Sequence, residues 1–320
     1  VDYRKISSHL QESSILAFGC SGIGGRVDKK KSIEIINAAF DYGVTHFDVA
    51  PSYGYGDAEA CLGMALNKNR DKVVIATKVG IIRNDPSTLI RKLKPIAQRV
   101  IQTFPSMRKI ISTGAAFSGA TAQPNQFTID KIKASVEKSL KDLKTDYIDI
   151  LFLHDCKKEH LSIEVITFLQ KLKRDGKVRT YGLATDIETI NVAQETGYTD
   201  LLPQFPNNIL EKNHMKLHHA NQPCIMHSAF FNLDRMKKMI TDNQAIFSHF
   251  EIGPLQEKQL HELMLSYVLL TNQKGVVICS MLNKSHLTEN IRSTENPTFS
   301  ENQIIAFSKM IDICLQDQKY

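Results

Sequence analysis

The sequence predicts an α/β fold in which eight parallel strands alternate with helices. Three observations predict it. Eight short apolar, β-branched runs recur along the 320 residues. Between most of them lie segments with apolar residues at i, i+3 and i+4, the spacing of an amphipathic helix. The runs are near-continuously apolar, the signature of strands buried on both faces of a parallel sheet. Together these describe a (β/α)8 TIM barrel of one domain spanning 1–320. The rival is an open doubly wound sheet, which wants a glycine fingerprint directly after its first strand. GCSGIGG offers glycines at 19, 22, 24 and 25, without the G-x-G-x-x-G spacing and well ahead of the next helical pattern.

The predicted strands are 14–20, 45–50, 72–79, 147–154, 178–185, 201–206, 224–229 and 275–280. The first helix is read from Ser32, with Ile33, Ile36, Ala39 and Phe40 on one face and Gly43 closing it as a left-handed residue. IDKIKASVEKSLKDL places Ile132, Val136, Leu140 and Leu143 in register. Ser162 opens the next helix as N-cap, and Gly176 ends it. LQEKQLHELMLSYVLLTNQKG and SENQIIAFSKMIDICLQ supply two more. After the third strand the rhythm breaks. Residues 81–127 form an insertion, with helical spacing from Ile90 to Phe104, a kink or restart at Pro95, and a loop-like stretch, ISTGAAFSGATAQPNQ. A long segment after a barrel strand lies on the catalytic face, so a substrate lid is one reading and a disordered insertion the other.

Composition narrows the function classes. Hydrophobic residues make up 42%, enough for a large core. The formal charge of +6 is spread along the chain, and its densest run, Lys29 to Lys31, reads as a solvated helix start rather than a nucleic-acid patch. Mild positive charge suits an enzyme with a phosphate-bearing cofactor. Cys20, Cys61, Cys156, Cys224, Cys279 and Cys314 are widely spaced and form no C-x-x-C pair. They are expected to be reduced thiols of a cytoplasmic protein. The polar start VDYRKISSHLQESS lacks a leader's apolar stretch, and no run has the length of a membrane helix. Asn283-Lys-Ser is read as a chance sequon. His214, His218 and His219 cluster without a carboxylate or cysteine to complete a metal set, so a surface helix is expected there and no metal.

Asp48, Tyr53, Lys78 and His154 sit at or just past strand ends, where barrel enzymes keep their chemistry. Taken singly, each has an ordinary structural role open to it: a loop cap, a loop aromatic, a rim cation, a core histidine. Gathered on one face they form a proton-transfer site. The lysine cation would lower the phenol's pKa, the aspartate would hold the lysine, and the histidine would orient a carbonyl.

Several ordered motifs then point one way. FDVAPSYGYGDAEACLG, VVIATKVG, SVEKSLKDLKTDYIDILFLH, GKVRTYGLATD and HLTEN together resemble the aldo-keto reductases over nearly the whole chain. The resemblance implies hydride transfer between a nicotinamide dinucleotide, held without a Rossmann fold, and a carbonyl or alcohol carbon. It gives Tyr53 the role of proton donor, Lys78 and Asp48 its support, and His154 the carbonyl. It implies cofactor contacts at Cys20, Asp48, Ala184, Thr185, Gln204, His227, Ser228, Ser280, His286, Glu289 and Asn290.

The chain departs from the family pattern around the cofactor. Ala184-Thr185 replaces Ser-Asn, so Thr185, with Asp186, would take over a carboxamide contact alongside Gln204. His227 stands where a tyrosine often stacks on the nicotinamide. Ser280 and His286 stand where members selecting the ribose phosphate often carry Lys and Arg, and Lys284 is the nearby cation. NADP(H) is favoured on the family's habit, with NAD(H) open. Asp155 after the histidine resembles the sugar-dehydrogenase-like branch. The expected partner is a small carbonyl or sugar substrate, with no nucleic acid or membrane, on a monomer or small homo-oligomer. Two other readings stay open: a cofactor-binding regulatory or subunit protein of this fold, and an unrelated lyase or aldolase barrel with Lys78 as a Schiff-base nucleophile.

Overall fold

A strand with no polar face must be covered on both sides, and this chain covers its strands by closing them on themselves. In a computed structural model, described over residues 1–83, 122–219, 221–247 and 255–317, eight parallel strands form a closed barrel. They are β1 (Leu16–Gly19), β2 (His46–Asp48), β3 (Val74–Val79), β4 (Ile148–His154), β5 (Val178–Ala184), β6 (Leu202–Pro206), β7 (Ile225–His227) and β8 (Val276–Cys279). Each pairs with the next in the chain, and β8 returns to β1 with Cys279 opposite Phe18. All eight expected strands are present. Their ladders are shorter than the apolar runs at several ends, because pairing stops where the chain turns off the barrel rim.

Among the described residues the helices longer than one turn are α1 (Lys29–Asp41), α2 (Ala58–Leu66), α3 (Ile129–Leu143), α4 (Ile163–Arg174), α5 (Ile187–Glu195), α6 (Leu233–Asp242), α7 (Glu257–Thr271), α8 (Lys284–Glu295) and α9 (Glu301–Asp317). α4 starts as its sequence indicates, with Ser162 Oγ accepting from Val165 N. α1 differs in start and facing. It opens at Lys29 with Asp28 as cap, so the lysine run is its first turn. Ser32, Ile35, Ile36 and Ala39 are its buried residues, while Ile33 and Phe40 are only half-buried. The reason lies at Ser32: its Oγ accepts from Gly24 N at 3.0 Å and donates to Val27 O at 3.2 Å, which turns that side of the helix inward.

The stretch expected as a histidine-bearing surface helix is a 3-10 turn, Asn213–Lys216, entered through a left-handed Lys212 at φ 47°. His218 Nδ1 lies 2.7 Å from Glu195 on α5. Asn283 caps α8, accepting from His286 N at 2.8 Å. The helix and loop expected within the insertion lie largely outside the described residues. At its ends, Ile82–Arg83 pairs antiparallel with Ala122–Gln123.

Two cores result. The larger lies between barrel and helices. The smaller fills the barrel with inward side chains that include Ala17, Val74, Ala76, Ile150, Phe152, Leu202 and Val276. Ile6 and Leu10 join the inner core from an N-terminal segment whose Tyr3–Arg4 pairs with Ser13–Ser14. Arg4 bonds the carbonyls of Asn272 and Gly275, ahead of β8. This segment closes the N-terminal end of the barrel, and the functional side chains gather at the other. All six cysteines are buried, and none is joined in a disulfide. Among the described residues no helix is long and apolar enough to cross a membrane.

Candidate active site

β2, β3 and β4 run side by side and end at the same rim. Asp48 is the last residue of β2, Lys78 the penultimate residue of β3 and His154 the last of β4. Tyr53 comes from the loop after β2, where it begins a 3-10 turn, Tyr53–Gly56. Its N–H donates to Ala50 O at 3.0 Å. Gly54 makes the turn possible: it has φ +58°, and a Cβ there would stand 1.9 Å from Ile23 O. The turn thus lies directly on the loop after β1, which holds Tyr53 against the barrel mouth.

The four side chains meet. Lys78 Nζ donates to Asp48 Oδ1 at 2.5 Å and to Val49 O at 3.2 Å. It stands 5.2 Å from the centre of the Tyr53 ring. His154 faces Tyr53 edge-on, with ring centres 6.1 Å apart. The second oxygen of Asp48 accepts from Gln204 Nε2 at 2.8 Å. Both oxygens are therefore occupied, one by a cation and one by an amide. Gln204 Oε1 is buried with no hydrogen-bond partner among the described residues.

Charge in the cluster follows from burial and from this pair. Burial works to lower the Lys78 ammonium's pKa, but the Asp48 and Tyr53 charges overcome it, so Lys78 is held above its ordinary value and stays protonated. Burial raises the Tyr53 phenol, and Lys78 pulls against that rise without reversing it. The lysine therefore lowers the phenol only relative to a buried tyrosine standing alone. Burial, then Lys78, pushes His154 down to about 3. Burial likewise takes His227 down to about 4. Both imidazoles are neutral at ordinary pH, and each carries one N–H donor.

A cavity of about 390 Å³ opens over the cluster, lined by Asp48, Tyr53, Lys78 and His154. Of the other residues expected around a cofactor, Ala184, Gln204, His227, Ser228 and Ser280 line it. Cys20 is fully buried rather than on the cavity wall. Thr185 is also buried, and its hydroxyl donates to Cys156 O at 2.6 Å. Asp186 caps α5 through Thr189 N and pairs with Lys157. His286, Glu289 and Asn290 stand on α8, apart from this cavity, with Glu289 paired to Lys258 at 2.9 Å. Ser21, Phe230 and Phe231 line the cavity without having been expected there. The available signal was position: Ser21 lies just past β1, and the phenylalanine pair just past β7.

A cation–carboxylate pair, a phenol and a neutral imidazole can together stabilise and protonate a developing alkoxide. The model of the aldo/keto reductase family matches residues 15–312. The chain belongs to the aldo/keto reductase family. Among curated relatives, it is 28% identical over 222 residues to the aldo-keto reductase YhdN of Bacillus subtilis, covering 66% of this chain and 55% of that one. It is 27% identical over 192 residues to the L-galactose dehydrogenase of Arabidopsis thaliana, covering 57% and 48%. The chain thus spans about half the length of these relatives. Among solved structures, the glycerol dehydrogenase of Gluconobacter oxydans superposes with a TM-score of 0.71 at 18% identity, covering 99% of this chain and 95% of that one. That likeness is one of fold. The closed barrel of eight parallel strands, with helices between them, is the (β/α)8 fold of the aldo/keto reductases.

Proposed function

We propose that this protein is a nicotinamide-dependent oxidoreductase that interconverts a small carbonyl compound and its alcohol, with Tyr53 as general acid and base. The observation that carries the reading is the Lys78 ammonium, paired with Asp48 and 5.2 Å from the centre of the Tyr53 ring, with His154 edge-on to the same ring. The cofactor fits the residues present: the buried Gln204 Oε1 needs a donor, and the carboxamide N–H of a nicotinamide supplies one.

A bound nicotinamide supplies or accepts the hydride at the reacting carbon. Tyr53 gives its proton to the carbonyl oxygen as negative charge develops there. Lys78 favours the phenolate that remains, and Asp48 keeps the ammonium in place. His154, neutral, donates an N–H to the same oxygen and fixes which carbonyl face is presented. Gln204 and His227 would hold the carboxamide and the ring. Thr185 is a poor substitute for an asparagine here, since its proton already serves Cys156 O.

NADP(H) is the proposed form, with NAD(H) the alternative, because neither Ser280 nor His286 is a permanent cation. The proposed substrate is an aldehyde, ketone or aldose, and the proposed setting is the cytoplasm. The test is loss of NADPH absorbance with p-nitrobenzaldehyde and with aldoses. Tyr53→Phe is expected to lower kcat by roughly a hundred-fold or more while leaving cofactor affinity intact. Normal turnover in that variant overturns the proton-donor role. Tight cofactor binding without turnover of any carbonyl by the wild type favours a regulatory or subunit role.

A further inference from the structure

One buried carboxyl has no part in the chemistry above. Glu59, in the first turn of α2, is 2% exposed. Thr77 Oγ1 on β3 donates to Glu59 Oε1 at 2.7 Å. Ser139 on α3, itself fully buried, brings a second hydroxyl toward the same carboxyl.

The placement of these groups connects them to the active site. Side chains of a strand alternate between its faces, so Thr77 points outward to the helices where Lys78 points into the barrel mouth. Glu59 follows Tyr53 in the chain, on a helix that starts where the Tyr53–Gly56 turn ends. The Glu59–Thr77 bond therefore ties the segment carrying Tyr53 to the strand carrying Lys78. α2 cannot drift from this position freely. A Cβ on Gly63, one turn further on, would stand 2.6 Å from Asp142 O, so α2 and α3 are in backbone contact.

We propose that Glu59 is a positioning residue that sets the approach of Tyr53 to Lys78 through its hydrogen bond to Thr77. The inference rests on the proposed carbonyl chemistry and deepens it. Its chemistry is that of a proton-dependent clip. Burial raises the Glu59 carboxyl to about 7; Thr77 and Ser139 oppose this, and of the charged groups facing it from α3, Asp142 raises it and Lys138 lowers it. Lys138 and Asp142 are bonded to each other, which leaves little net charge on that side. Ionised, Glu59 only accepts, and the Thr77 hydroxyl is held to it. Neutral, Glu59 carries its own proton, and Thr77 is released to turn its hydrogen elsewhere. The clip is tightest in the ionised form.

The test follows Tyr53 directly. Ring signals of isotope-labelled tyrosine are recorded by NMR across neutral pH, with the Tyr53 signal assigned by its loss in Tyr53→Phe. Turnover of p-nitrobenzaldehyde with NADPH is measured over the same range. In the wild type the Tyr53 signal and kcat are expected to step together near the Glu59 titration, with cofactor KM unchanged. Glu59→Gln and Thr77→Val should remove both steps and lower kcat on the alkaline side by about ten-fold, the rate equivalent of one hydrogen bond. Thr77→Ser, which keeps the hydroxyl, should behave as wild type. A Tyr53 step that survives in Glu59→Gln, or is missing in an active wild type, overturns the inference. A step that is present and lost in Glu59→Gln, in a wild type that turns over no carbonyl, upholds the clip and overturns the proposed reaction instead.

Discussion

Lys78 and Asp48 form a 2.5 Å ion pair across adjacent strands, with side chains 3% and 5% exposed. Such a pair is costly to half-dismantle, because the partner left behind is a buried charge. Gln204 still serves one Asp48 oxygen, but an amide does not neutralise a carboxylate. Lys78→Met is therefore expected to lose about 3 kcal/mol of unfolding free energy in urea titration. The Lys78→Met, Asp48→Asn double variant should recover part of that loss and none of the turnover. A single variant as stable as the wild type contradicts the pairing.

Gln204 joins the proposed cofactor site to the cluster, since it lines the cavity, one end of its amide meets Asp48, and the other is buried without a hydrogen-bond partner among the described residues. Gln204→Leu keeps the bulk and removes both ends. We expect NADPH affinity, measured by calorimetry, to fall by about ten-fold, the value of one amide pair with its buried partner. Unchanged affinity would place the carboxamide elsewhere.

The buried histidines set the acid limit. His46, His154 and His227 are lowered by burial to about 4, about 3 and about 4. A group depressed in the fold contributes stability above its unfolded value, near 6.5, and loses it as pH falls through the folded value. The urea midpoint should therefore fall between about pH 6.5 and about pH 3. His154→Gln, which offers an N–H but does not titrate, should flatten part of this fall. It should also keep about ten-fold more turnover than His154→Leu, if a neutral donor is what the carbonyl needs.

Glu59 works in the opposite direction. Its carboxyl is raised in the fold to about 7, so its favourable contribution is complete below the unfolded value of 4.5 and lost as pH rises through about 7. Glu59→Gln, neutral throughout, should match the wild type in urea below that window and gain on it steadily across the window. The gain should level off above it. A gain that is the same at every pH would show that the carboxyl does not titrate.

Much of the barrel was legible because its signal is local and repeated. An apolar run bounded by a helical pattern reads the same wherever its neighbours lie, and eight in alternation admit few packings. The four cluster residues were legible for the same reason: Asp48, Lys78 and His154 stand at strand ends and Tyr53 in the loop just past one. What escaped was set by side-chain bonds and backbone turns that no repeat in the sequence encodes. The facing of α1 depends on Ser32 bonding Gly24 and Val27, which no periodicity shows. The stretch around His214 carries helical-looking spacing, but a left-handed Lys212 turns it. The N-terminal plug rests on Arg4 reaching carbonyls before β8, across nearly the whole chain.

The cofactor residues divide along the same line. Ala184, Gln204, His227, Ser228 and Ser280 line the cavity, since each sits near a strand end. Thr185, one residue further along, is turned away by its bond to Cys156 O. Glu59 drew no notice in the sequence, because a glutamate in a first helical turn is the commonest of solvated residues. Its meaning comes from Thr77 and Ser139, supplied by two other elements. By itself, then, the sequence determined the order of strands, the rim on which Asp48, Tyr53, Lys78 and His154 stand, and the family, all of which follow from local pattern. Only the tertiary structure decided which side chains share a proton, which are paired and which are spent elsewhere. Those depend on burial and on distances of a few ångströms, and the chain sets both only when it closes.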